Sequence, residues 1–144
     1  MPLHALVYAS QMAADLPAGR LEGLVQDAAR FNHLAGVTGL LLFDGERFLQ
    51  YLEGPEQGVH AAYGRVLAAS SHVDILQLAR GLVGTRLCPF WSMTRVDTER
   101  RDLGKVATAD WNSFVRRGTA VRPTAVDHLD GIVARHRQQM RTPG

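Results

Sequence analysis

A single cysteine, Cys88, stands in the 144 residues of the chain. A lone thiol excludes an internal disulfide and any cysteine-built metal cluster, and it fits a reducing compartment. Six histidines are present, but none share ligand spacing on an identifiable face, so no metal site is expected. No apolar run approaches the roughly 20 residues of a membrane span, and Met1-Pro2-Leu3-His4 lacks a basic segment followed by an apolar one. The expectation is a cytoplasmic protein with no membrane part. A Gly-rich phosphate loop, a nucleophile arrangement and an internal repeat are also missing, which argues against an enzyme such as an acylphosphatase.

Net charge is small, formally +2. The halves differ: residues 1–94 hold 6 Lys+Arg against 8 Asp+Glu, and residues 95–144 hold 10 against 6. The basic tail could face nucleic acid, but its charges are scattered over helical segments without interleaved aromatics, so such a partner is not expected. With 46% hydrophobic residues, one domain with a sizeable core and an appendage is anticipated.

Gln50 lies inside the apolar run Phe48-Leu49-Gln50-Tyr51-Leu52. A primary amide carries two donor hydrogens and an acceptor, and leaving it unpaired in an apolar interior costs roughly 1 to 3 kcal/mol. Either Gln50 sits at a strand edge and bonds water or backbone, or it meets a second buried polar group. Tyr8, in the run Leu3-His4-Ala5-Leu6-Val7-Tyr8-Ala9, is available. Were the two strands neighbours, phenol and amide could hold a planar, hydrogen-bonding ligand.

The remaining pattern alternates strands and helices. Leu3 to Ser10 reads as a strand, and after Pro17-Ala18-Gly19 a helix carries the stripe Leu21, Leu24, Val25, Ala28. One further step of four puts Asn32 on that face, where it is a buried amide or a helix-end cap. Gly36 stops the helix. Val37 to Phe43 and Arg47 to Glu53 are strands around an Asp44-Gly45 turn. Gly54-Pro55-Glu56 is a turn into a helix with Val59, Ala62, Tyr63, Val66 and Leu67 on one face. Val73 to Leu82 is a fourth strand, and Trp91-Ser92-Met93 a short fifth whose Trp91 and Met93 point to one side.

The fold class is therefore α+β: a ferredoxin-like β-α-β-β-α-β order with one added strand, a five-stranded mixed sheet with two helices on one face. Beyond Asp97, Trp111, Phe114 and Val115 mark a short helix. Pro123 opens a longer one striped by Val126, Leu129, Ile132, Val133 and Met140. These C-terminal helices need cover and are expected on the sheet's other face, or on a second subunit. The division expected is 1–96 for the main domain and 97–144 for a helical cap and output segment.

Five segments, Leu6-Val7-Tyr8-Ala9-Ser10, Arg30-Phe31-Asn32-His33, Gly36 to Gly45, Arg47 to Pro55 and Pro89-Phe90-Trp91-Ser92-Met93, together resemble a BLUF domain, a blue-light sensor that binds flavin without a covalent bond. The likeness covers roughly residues 3 to 95, and the tail resembles the capping helices of short single-domain members. It implies FAD, with FMN an alternative, and no enzymatic activity. In family members the flavin ring stands between the two helices. The resemblance makes Tyr8 and Gln50 the photoactive relay, Asn32 the anchor of the ring's pyrimidine side, Phe48 a further contact, and Trp91 and Met93 the signal relay.

Two positions depart from the family pattern. Phe31 stands where many members have a polar residue, and Ala69-Ser70-Ser71-His72 stands where many read Asp-Pro-Arg-His. With Ser71 in place of that arginine, Arg65 and His72 are the remaining candidates for a phosphate. A stand-alone sensor would act by contact with an unidentified effector protein, self-associated, through its tail helices or the loop before Trp91. The rival reading is a ligand-binding or interaction module on the same fold that has lost its photochemistry.

Overall fold

The computed structural model describes residues 2–17, 19–112, 114 and 124–141. Strand β1 (Leu3–Met12) is followed by α1 (Arg20–Ala35), β2 (Thr38–Phe43), β3 (Arg47–Pro55), α2 (Glu56–Ala68), β4 (His72–Val83), β5 (Arg95–Asp97), α3 (Arg100–Ala107) and α4 (Ala125–Arg141). The five strands form one sheet in the order β4-β1-β3-β2-β5. All pairs are antiparallel except β2 with β5. This is the α+β, five-stranded mixed sheet expected from the sequence.

Alternation along the strands divides the interior in two. Leu6 and Tyr8 of β1, Leu41, Phe48 and Leu52 meet Leu21 and Val25 of α1 and Val59 and Ala62 of α2. Ala5, Val7, Leu40, Leu42, Leu49 and Tyr51 point the opposite way and meet Leu103 and Val106 of α3 and Val126, Leu129, Ile132 and Val133 of α4. The period of two in the strands thus gives the sheet two apolar faces, and each is covered by a helix pair.

Local signals account for most boundaries. Gly36 ends α1 in the left-handed region at φ 73°, where a residue without Cβ is unstrained. Asp44 closes the β2–β3 hairpin by accepting the backbone N–H of Glu46 and Arg47 at 2.9 and 2.7 Å. α4 opens on a reciprocal cap in which Thr124 N–H donates to Asp127 Oδ2 and Asp127 N–H donates to Thr124 Oγ1.

Four expectations are corrected. Gly54-Pro55 is no turn: β3 runs to Pro55 and α2 begins at Glu56. The glycine is there because a Cβ at residue 54 would meet Gly36 O at 2.7 Å, so the end of α1 packs against bare backbone. Trp91-Ser92-Met93 is irregular, and the fifth strand is Arg95–Asp97, set in register by Leu41↔Arg95. Among the described residues the short tail helix is Arg100–Ala107, and Trp111, Asn112 and Phe114 are not helical; Val115 and Pro123 lie outside the described residues. Leu67 and Met140, placed on apolar stripes by spacing, are exposed.

Candidate functional site

The β1–β3 register brings Tyr8 opposite Gln50. Both are buried, and the Tyr8 hydroxyl donates to Gln50 Oε1. The strand-edge alternative for Gln50 falls with that bond. On the other side of the amide, Gln50 Nε2 donates to Met93 Sδ at 3.5 Å, a weak acceptor. Burial, and secondarily the nearby Tyr63 phenol, hold the Tyr8 hydroxyl far above its ordinary pKa. Tyr8 therefore carries its proton throughout the neutral range, and that proton points at Gln50.

Asn32 is turned inward from the last turns of α1 and is 3% exposed. It is no cap, since Gly36 fills that position. Its Nδ2 donates to Ser92 O at 3.0 Å, while its Oδ1 accepts no bond from the described residues. Tyr8, Asn32, Phe48, Gln50, Arg65, His72 and Met93 all line one cavity between α1, α2 and the sheet, inside a cleft of ≈ 860 Å³ open to solvent. Its walls are otherwise mostly apolar, with Leu21, Val25, Leu41, Leu52 and Ala62 among them.

His72 is fixed by protein atoms: Ser10 Oγ lies 2.8 Å from Nδ1, and Val66 O lies 2.9 Å from Nε2. Nε2 must donate to that carbonyl. Both ring nitrogens are committed, so His72 serves the cavity by shape and orientation. Arg65 lies over Phe31, 4.5 Å from the ring centre to the guanidinium carbon, so the apolar residue at 31 holds a cation in place.

Trp91 and Met93 part company. Met93 is buried with Tyr8 and Phe48, whereas Trp91 is outside the cavity lining and packs against the tail side of the sheet. The expectation that they share a side assumed an extended strand; the irregular backbone at Trp91–Met93 sends them to opposite faces.

Glu53, outside the cavity lining, is a supporting residue the spacing argument did not single out. Fully buried, its carboxylate accepts the Thr38 and Tyr51 hydroxyls at 2.9 and 3.0 Å and the backbone N–H of Leu87 and Cys88 at 2.6 and 2.9 Å. Arg86 adds bonds to Thr38 Oγ1 and Gly36 O at 2.8 and 2.9 Å. Together they fasten the start of the loop that leads to Met93. The signal was available: a carboxylate three residues beyond Gln50 in the same strand needs partners for the same reason.

The geometry defines a class: an apolar slot between two helices, floored by a sheet, with two carboxamides and a phenol turned into it. Gln50 has a second amide hydrogen and Asn32 a free carbonyl oxygen, a donor and acceptor set that fits the heteroatom edge of a flavin ring. The family model described as BLUF, sensors of blue-light using FAD, matches residues 3–94. The chain belongs to the BLUF family, and its cofactor is a flavin, FAD by the family's definition.

A blue light- and temperature-regulated antirepressor of Escherichia coli is 40% identical over 76 residues, which is 53% of this chain and 19% of that protein. The chain thus spans about a fifth of that relative's length. The solved structure of BlrB, a BLUF protein in its dark state, matches with a TM-score of 0.64 at 28% identity over 74% of this chain and 79% of that one. Klebsiella pneumoniae BlrP1 with FMN and cyclic diGMP matches with a TM-score of 0.62 at 34% identity, covering 66% of this chain and 26% of that one.

Proposed function

We propose that this blue-light flavin sensor switches through Tyr8 and Gln50 and signals by contact with an effector protein. The observation that carries the reading is the Tyr8–Gln50–Met93 chain of hydrogen bonds at the cavity wall. Asn32 and Gln50 would hold the ring edge, Phe48 its face, and Arg65 the phosphate side. FMN is compatible with the same residues, and BlrP1 was solved with it.

When bound, the flavin supplies the blue absorption and, once excited, a strong oxidant. Tyr8 is the group placed to give up an electron; it starts as the protonated phenol, and because a phenol that has lost an electron is strongly acidic, its proton leaves along the bond to Gln50 Oε1. Gln50 Oε1 takes that proton as Nε2 gives one up on the ring side, and electron and proton then return to Tyr8, so nothing is consumed. An amide that has rotated or tautomerised on the way no longer presents the same group to Met93 Sδ. That change in donor pattern is the signalling event, and it biases the segment that carries Met93.

Residues 1–96 would be the sensor and 97–144 the output segment. The chain acts without catalysis of its own, in the cytoplasm and self-associated. Among the described residues no helix is long and apolar enough to cross a membrane. The E. coli relative is an antirepressor and a Euglena gracilis relative a photoactivated cyclase subunit-like protein, which supports an effector protein as the target. The test is an absorption spectrum of the purified chain in darkness and after blue light. A yellow protein with a reversible red shift is expected; a flavin spectrum unmoved by light would refute the switch.

A further inference from the structure

The segment from Phe90 to Thr94 touches the cavity on one side and α4 on the other. Towards the cavity, Ser92 O accepts Asn32 Nδ2 and Met93 Sδ accepts Gln50 Nε2. Towards α4, the Phe90 ring lies under the Arg137 guanidinium at 3.9 Å, the Trp91 ring meets the His136 ring edge-on at 5.2 Å, and Thr94 Oγ1 is 3.2 Å from His136 Nε2. Two consecutive residues of one helix therefore grip three residues of this segment. His136 takes two of them on a single stiff ring.

We propose that His136 is the positioning residue through which α4 reads the state of Gln50, an inference that rests on Gln50 being the switch. The segment is pinned to β2 at both ends, by Gly39 N–H donating to Trp91 O at 3.1 Å and Leu41 N–H donating to Thr94 O at 2.8 Å. A displacement of Met93 therefore turns the two anchored ends and does not slide the segment along the strand. Trp91 and Thr94 are those ends, and both bear on the imidazole. A small rotation changes one edge-to-face contact and one hydrogen bond on the same side chain, two discrete arrangements that α4 can follow. Burial lowers the His136 pKa, which favours the neutral ring and leaves Nε2 able to accept the Thr94 hydroxyl.

The experiment is amide hydrogen exchange along α4 of the flavin-loaded 144-residue chain, dark and illuminated, for wild type, His136→Ala, His136→Gln and Thr94→Val, with flavin spectra on the same samples. All four are expected to keep the red shift. Wild type shows a light-minus-dark difference in α4. His136→Ala and Thr94→Val lose it while α4 keeps most of its dark protection. His136→Gln, whose amide reaches the place of Nε2, retains at least half. A wild-type difference persisting in His136→Ala overturns the proposal, as does a collapse of dark protection in both His136 variants, which would make the ring mere packing. A red shift with a silent α4 in wild type overturns it too. A wild type with no red shift removes the Gln50 switch itself, and this inference with it.

Discussion

At the scale of single residues, Tyr8 and Gln50 act as one unit, so removing either should give the same deficit. Gln50→Leu keeps a similar volume without hydrogen bonds, and Tyr8→Phe deletes only the hydroxyl. Both variants are expected to bind flavin and to show no reversible red shift in light-minus-dark spectra. Asn32→Ala removes the proposed anchor of the ring and should weaken flavin affinity by about 1 to 3 kcal/mol, the scale of one or two buried bonds, measured by fluorescence titration. Unchanged affinity would take Asn32 out of the site. Glu53→Ala removes the buried acceptor of two backbone N–H groups and two hydroxyls. We expect a loss of at least about 3 kcal/mol in urea unfolding. These residues were legible because a buried amide or phenol in an apolar run must be answered by another polar group. Glu53 was not read the same way, since its backbone donors, Leu87 and Cys88, come from a loop more than thirty residues further on.

Among elements, boundaries set by local chemistry were readable: Gly36 at the end of α1, Asp44-Gly45 in the hairpin, and the two striped helices. Those decided by distant partners were not. β5 exists because β2 offers it an edge, and nothing within Arg95–Asp97 distinguishes it from Trp91–Met93. α3 is a charged run with Leu103 and Val106 as its buried residues, which become a stripe only once the sheet's second face is in place. The junction of Trp91 and Thr94 with α4 carries its own pH dependence. His136 has its pKa lowered by burial, so the unfolded chain binds the proton more readily than the folded one. Its contribution to docking α4 is fully present above about pH 6.5, the ordinary histidine value, and fades as the pH falls through its lower folded value. Protection factors in α4, corrected for the intrinsic slowing of exchange in acid, should fall on acidification, and His136→Gln should abolish that fall.

For the whole molecule, the sheet separates a photochemical face from a tail-covered face, and the two can be parted by experiment. A chain cut after Thr98 keeps β5, including Thr98 N–H donating to Phe43 O, and every residue lining the cavity. It should retain the red shift while exposing Val7, Leu40, Leu42 and Leu49, and so should self-associate or lose solubility in size-exclusion chromatography. A cut chain that binds flavin without any red shift would make the tail part of the photosite. The layering was visible in the sequence, because apolar stripes on both ends of the chain need two faces to bury them. Which helix residue meets which loop was not, since that depends on irregular backbone with no period to follow.

β1 lies between β3 and β4, with Leu3 paired to both Pro55 and Val83. During synthesis it emerges first and waits longest. At roughly 5 to 20 residues per second, Val83 follows Leu3 by about 4 to 16 s. Through that interval the apolar Ala5, Leu6 and Val7 have no completed sheet around them, and the pairing they await is long in sequence separation and slow to close. The cavity wall is finished later still, when Met93 has followed Tyr8, Gln50 and His72 out of the ribosome. Flavin capture therefore waits on Met93, the last of the lining residues to be made: a chain that folds short of flavin would have its sheet formed and its slot unfilled, blind to light.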